Sequence, residues 1–157
     1  MDRTIELCDL LKHPGSYALV LANIVAQNIS IGKLGTFMFP PGTYIYLGSG
    51  QGPGGLQARL NRYLFKPSKL HWHIDWLMEA MKLEYLGIST EDLRLECTWS
   101  KVLARQNDAF IPAPGFGSSD CLSGCQAHLV GFPGPVPPWQ CRDWFKSSRH
   151  PCRIFYP

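Results

Sequence analysis

The residues with chemistry in reach lie in a few short stretches, and the first is TYIYLGSG at 43–50. Strand alternation puts Tyr44 and Tyr46 on one face and Ile45 and Leu47 on the other, before the chain breaks into Gly48, Ser49 and Gly50. GSGQGPGGL then gives way to LQARLNRYL, where Leu56, Leu60, Tyr63 and Leu64 fall at helical spacing while Arg59 and Arg62 share another face. A glycine-rich loop feeding a helix offers backbone N–H donors and a positive helix end, and an arginine one turn in forks onto a phosphate. Taken alone, the loop fits a surface turn before a solvated basic face better.

The histidines and cysteines add two further groupings. His71 and His73 in HWHIDW point the same way if the chain is extended there, toward a site, or serve as one capping or core histidine and one exposed. Asp75 orients an imidazole, binds a metal, or is a plain surface aspartate. Cys121, Cys125 and His128, spaced C-x3-C-x2-H, would ligate zinc with a fourth ligand from Cys97, Cys141 or Cys152. No CxxC pair supports that site, and buried free thiols are the competing reading.

Elements must position these groups. IELCDLLK reads as an amphipathic packing helix with Ile5, Leu7, Cys8, Leu10 and Leu11 as its apolar set. SYALVLANIVA and NISIGKLGTFMF read as strands, and Pro40-Pro41-Gly42 turns into TYIYLG, so an antiparallel meander is expected. HWHIDWLMEAMKL predicts a helix with Ile74, Leu77, Met78 and Met81 inward, and EYLGIS a strand. The segment LRLECTWSKVLARQ is expected to end a strand at 93–95 and open a helix near Glu96. From about residue 132 the composition turns to GPVPPWQCRDWF, which divides the chain into a domain over 1–131 and a Pro/Trp-rich wrap or tail over 132–157.

The bulk numbers set bounds without naming a ligand. A chain of 157 residues with 45% apolar and 17% charged content is one globular domain with a core of its own. A formal charge of +3 fits a phosphate-binding protein but does not require one. MDRTIELCDLLKHPG is neither a secretory signal nor a spanning helix, so the expectation is an intracellular, cytoplasmic protein with no membrane partner, its cysteines free thiols or a metal site and not disulfides.

The order of Gly15-Ser16-Tyr17, Tyr46-Leu47-Gly48, Arg59 and Glu96 resembles the GIY-YIG nuclease superfamily, with Leu47 for the isoleucine of the second motif. The chain is similar above all to a subfamily of unknown function found alone or fused to endonuclease III-like repair glycosylases. GSYALVL, PPGTYIYLGSG, GLQARL, HWHIDWL, LEC and GFGSSDC followed by HL carry the likeness. By resemblance, Tyr17 and Tyr46 assist or orient an attacking water, Arg59 stabilises the phosphoryl charge, and Glu96 holds one Mg or Mn ion. Nucleic acid would lie against Gly48, Ser49, Arg62, Lys66, Lys69, His71, His73, Ser118 and Ser119. Two departures stand out: about thirty residues separate Tyr17 from Tyr46, and Arg62 and Tyr63 stand where many relatives have a histidine. Tyr63, His71 or His73 is left to handle the proton of the water.

The reading is therefore an α/β (α+β) domain, with a central antiparallel sheet of about three to five strands flanked by helices. Its expected activity is metal-dependent hydrolysis of phosphodiester bonds in DNA, in repair or processing of branched DNA, with a repair glycosylase as companion. The rivals are a silent nucleic-acid-binding module and a zinc-stabilised protein-interaction domain.

Overall fold

The structure, a computed structural model, describes residues 3–157, with side chains from residue 6 on, so Ile5 of the expected apolar set lies outside the described side chains. In chain order the elements are α1 (Arg3–Leu11), β1 (Ser16–Asn23), β2 (Gln27–Ile31), β3 (Gly35–Phe39), β4 (Gly42–Ser49), α2 (Gly55–Leu64) and α3 (His73–Ala80). They continue with β5 (Lys82–Ser89), α4 (Glu96–Ala104), β6 (Leu129–Phe132), α5 (Pro138–Ser147) and β7 (Arg153–Phe155). An antiparallel five-stranded sheet runs in the order β6-β4-β1-β5-β7, and β2 and β3 form a separate two-stranded sheet.

Alternation along the strands sorts apolar side chains into two cores, one on each face of the large sheet. Tyr17, Leu19, Leu21, Tyr44 and Tyr46 join Leu56, Leu60, Ile74 and Leu77 of α2 and α3 on one face. Ala18, Val20, Ile45 and Leu47 join Trp99 and Leu103 of α4 and Phe145 of α5 on the other. The expected partition of TYIYLG is thus observed, and Tyr44 is a core residue whose hydroxyl donates to the Pro40 carbonyl at 2.6 Å. Met81 is buried as expected, whereas Leu64, assigned to the inner stripe of α2, is 38% exposed at the end of its helix.

The meander does not form. Both edges of β1 are taken, by β4 and by β5, so the 27–39 segment has no place in the sheet and pairs with itself. It turns at Gly32, whose φ of 44° is left-handed and whose missing side chain leaves room for Trp76 of α3. Residues 93–95 are likewise not a strand. Their backbone is held by Ser16, whose hydroxyl donates to the Leu93 carbonyl (3.1 Å) and accepts from the Leu95 N–H (3.0 Å). Helix α4 then starts at Glu96, where the sequence placed it.

The segment from 132 on supplies both α5 and the edge strand β7. Phe145 is fully buried and stacks on Trp99 with ring centroids 4.3 Å apart, and the Trp99 indole N–H donates to the His150 carbonyl at 2.9 Å. Truncating Phe145 to alanine is expected to cost about 3–5 kcal/mol. Thermal unfolding of that variant should show one transition at lower temperature, and a separate low-temperature transition would mean that the segment melts independently.

Candidate functional site

A cleft of about 820 Å³ opens where β4 leaves the sheet, and its walls include Tyr17, Tyr46, Gly48, Ser49, Arg59, His71, His73, Glu96 and Ser119. The strand register explains the first part of this set. Tyr17 faces Gly48 across the β1–β4 pair, and a Cβ on Gly48 would come within 2.5 Å of the Tyr17 ring and hydroxyl. Gly48 is thus the space that the Tyr17 phenol occupies. From there the Tyr17 hydroxyl shares a 2.9 Å hydrogen bond with the Tyr63 hydroxyl, which fastens α2 over the sheet.

These phenols are not bases. Burial, reinforced by the neighbouring phenols, pushes Tyr17 well above the ordinary phenol value of about 10. Burial raises Tyr46 as well; the field of Arg59 works against that rise and that of Glu96 adds to it. Tyr46 packs its ring against Phe116, with centroids 5.9 Å apart. At neutral pH both tyrosines are protonated, so each hydroxyl has a proton to donate.

The two arginines of α2 have different surroundings. Arg62 forks onto the buried Asp75, with Nη2 2.6 Å from Oδ2 and Nε 3.2 Å from Oδ1, and also donates to the Lys69 carbonyl. Asp75 Oδ2 further accepts the backbone N–H groups of His71 and Trp72 at 2.8 Å, capping the start of α3. Burial works to raise the Asp75 carboxyl, but the Arg62 guanidinium and the two backbone donors outweigh it and hold it below the ordinary value. Arg59 has no carboxylate partner among the described residues. Its guanidinium lies 4.4 Å from the Trp72 ring centroid, a cation–π contact that holds it at the cleft without neutralising its charge.

Helix α4 and the 115–128 segment close the other side. Glu96 sits at the first residue of α4, where the helix dipole favours an anion, and it forms no ion pair among the described residues. His73 Nδ1 accepts the Gly117 N–H at 2.9 Å, so the ring proton is on Nε2, and burial lowers the imidazole pKa. Arg62, Lys66, Lys69 and Ser118, expected against nucleic acid, do not line the cleft. Arg62 is consumed by Asp75, and the two lysines are on the exposed connection between α2 and α3. Asp120, within the GFGSSDC stretch, also lines it, as do Trp72, Arg94 and Lys101, which the sequence did not single out. The position of Trp72 between the two histidines was the one local signal for any of these three.

Beside Glu96, Cys97 brings its sulfur to Cys121, Cys125 and His128, and the four ligand atoms lie within 4.8 Å of one another. Cys141 and Cys152, the other proposed fourth ligands, do not join this cluster and are buried in the core that α4 and α5 cover, where burial raises their thiol pKa. Within the cluster the backbone N–H of Cys125 draws the Cys121 thiol down to about 6, while burial raises Cys125.

Residues 16–147 match the family described as Domain of unknown function DUF123. The chain belongs to this family. The DUF123 match runs from the first residue of β1 to the last of α5, so it takes in every wall of the cleft. No curated protein and no solved structure matches the chain. Among the described residues no helix is long and apolar enough to cross a membrane.

Replacing Asp75 by asparagine leaves the Arg62 guanidinium without its counter-charge. The expected cost is about 3 kcal/mol, the low end for breaking a buried pair, because Arg62 keeps 25% of its side chain in water. The depressed Asp75 carboxyl contributes stability above the unfolded-state value of about 3.9 and loses it as pH falls below that. Denaturant unfolding should therefore show wild type and Asp75→Asn converging in stability on acidification through that range. A constant difference would remove Asp75 ionisation from the account.

Proposed function

We propose that the chain is a nuclease of the GIY-YIG type, hydrolysing phosphodiester bonds in DNA. The observation that carries this reading is the convergence of Tyr17, Tyr46, Arg59 and Glu96 on one cleft, with Arg59 and Glu96 in no ion pair among the described residues and both felt by the Tyr46 hydroxyl. Phosphodiester hydrolysis requires an oriented water and compensation for growing negative charge. Arg59, fixed by Trp72, supplies the compensation, and the protonated Tyr17 and Tyr46 supply donors to the phosphate or its attacking water. Glu96 is an oxygen ligand of the kind Mg and Mn take, and it would hold such an ion, whose contribution is Lewis-acid stabilisation of the phosphoryl charge. His73, neutral and with its proton on Nε2, is a further donor at the rim. The resemblance also implies DNA repair as the setting and a repair glycosylase as the companion.

The test is a cleavage panel on single-stranded, duplex, nicked and branched DNA and on RNA, with Mg or Mn and with chelator. Arg59→Ala and Glu96→Ala should each lower the rate about 100- to 1000-fold. No cutting by a folded chain that still binds DNA in a salt-sensitive, Arg59-dependent manner would replace the nuclease by a binding module. One observation favours that second reading: Trp72, 40% exposed, puts an aromatic ring beside the Arg59 cation at the cleft, the pairing that single-strand binding grooves use.

The buried phenols generate a separate expectation. Because Tyr46 stays protonated, the pH–rate profile should contain no phenol ionisation between about pH 6 and 9. Tyr46→Phe should lower the rate at every pH without changing the profile's shape, and loss of an ionisation in that variant would make Tyr46 a base after all.

A further inference from the structure

The loop that closes the cleft has nothing apolar to hold its tip. Residues 115–128 are joined at the neck by the Gly115 N–H to the Gln126 carbonyl (2.7 Å) and the His128 N–H to the Phe116 carbonyl (2.8 Å). Between these bonds the chain forms no helix or strand, and Leu122 at the tip is fully exposed. What the tip turns toward the protein is sulfur: Cys121 and Cys125 converge with Cys97 of α4 and with His128, which is buried next to the start of β6.

The four ligand atoms lie within 4.8 Å of one another, and two of their separations are those of a metal tetrahedron. Zinc about 2.3 Å from thiolate sulfur and about 2.0–2.1 Å from imidazole nitrogen puts neighbouring ligand atoms roughly 3.5–3.8 Å apart. Cys97 Sγ lies 3.5 Å from Cys121 Sγ and 3.5 Å from His128 Nε2. The C-x3-C spacing falls within the range that zinc sites use, so the missing CxxC does not count against one. A set of thiolates with an imidazole is soft, selecting zinc over the hard cations that suit Glu96.

We infer that the chain binds a zinc ion through Cys97, Cys121, Cys125 and His128, a structural site fastening the start of α4 to the 115–128 loop at the rim of the cleft. Four protein ligands leave no open position for substrate or water, which is the mark of a structural and not a catalytic zinc. Cys97 directly follows Glu96, and Ser119 and Asp120 directly precede Cys121, so the ion sets the separation of two walls of the cleft. The assignment stands on the ligand geometry and is independent of the nuclease reading.

Metal analysis of the untagged full-length chain after desalting tests it, together with cobalt exchange. The expected result is about one zinc per chain, unchanged by Cys8→Ser and lost in Cys97→Ser and in Cys125→Ser. His128→Cys should keep the metal and move the cobalt spectrum toward that of four thiolates. Cobalt bound to the wild-type chain should show the intense visible absorption of a tetrahedral thiolate site, so misfolding of a serine variant does not decide the matter. Wild-type chain prepared with zinc present that carries well under one ion per chain, lacks the cobalt–thiolate band or holds a Cys97–Cys121 disulfide overturns the assignment. So does zinc content that survives both serine substitutions. Nuclease assays play no part, so failure here and failure of the proposed function are read separately.

Discussion

The alternation of two adjacent residues at the start of β1 positions both charged sides of the cleft. Ser16 and Tyr17 point to opposite faces of the sheet. Tyr17 fills the gap over Gly48 and bonds Tyr63, which fixes α2 and therefore Arg59. Ser16, fully buried, holds the backbone of Leu93 and Leu95, which delivers the chain to the first turn of α4 and therefore Glu96. The helix bearing the cation and the helix bearing the carboxylate lie on opposite faces of the same sheet, and one dipeptide of its central strand anchors both. A strand held on both edges is a rigid place for such an anchor.

Charge at the cleft is arranged by which cation is satisfied elsewhere. Arg59 and Arg62 are three residues apart on α2, yet Arg62 is bound by Asp75 while Arg59 is held by an aromatic face. The Asp75 carboxylate also caps α3 through the His71 and Trp72 N–H groups, and Trp72 is the residue that Arg59 covers. One buried acid thus removes a competing guanidinium, sets the start of α3 and orients the platform under Arg59. An ion pair at Arg59 would have fixed it equally well but would have cancelled the charge available to an anion.

Much of this was legible locally and the rest was not, for a physical reason. The inner faces of TYIYLG and of the α2 and α3 helices, and the start of α4 at Glu96, follow from periodicity and helix-start signals within a dozen residues. The hairpin at 27–39 was misread as part of a meander because local pattern does not say that β1 already has two neighbours. Residues 93–95 were misread as a strand because their partner is a serine hydroxyl 77 residues away in sequence. Arg62 looked like Arg59 from the chain alone, and only the burial of Asp75 separates them. In the same way Cys97 could be named as one of several fourth ligands, and the packing of α4 against β4 and β6 is what selects it over Cys141 and Cys152.

The two sides of the cleft differ in what makes them stiff. Tyr17 and Tyr46 belong to paired strands with side chains buried on both faces, where displacement would disturb an entire core. The opposing 115–128 loop is connected to that rigid side by the Gly117 N–H on His73 Nδ1 and by Phe116 against the rings of Tyr46 and His73. These connections hold its base, near the sheet, whereas Ser119 and Asp120 lie farther out, toward the exposed Leu122. Hydrogen bonds at a neck do not fix a tip that buries no apolar surface. Precise placement of Glu96 against the loop therefore calls for a further tie on the outer side, and among the described residues the thiols and imidazole gathered beside Cys97 are placed to make one.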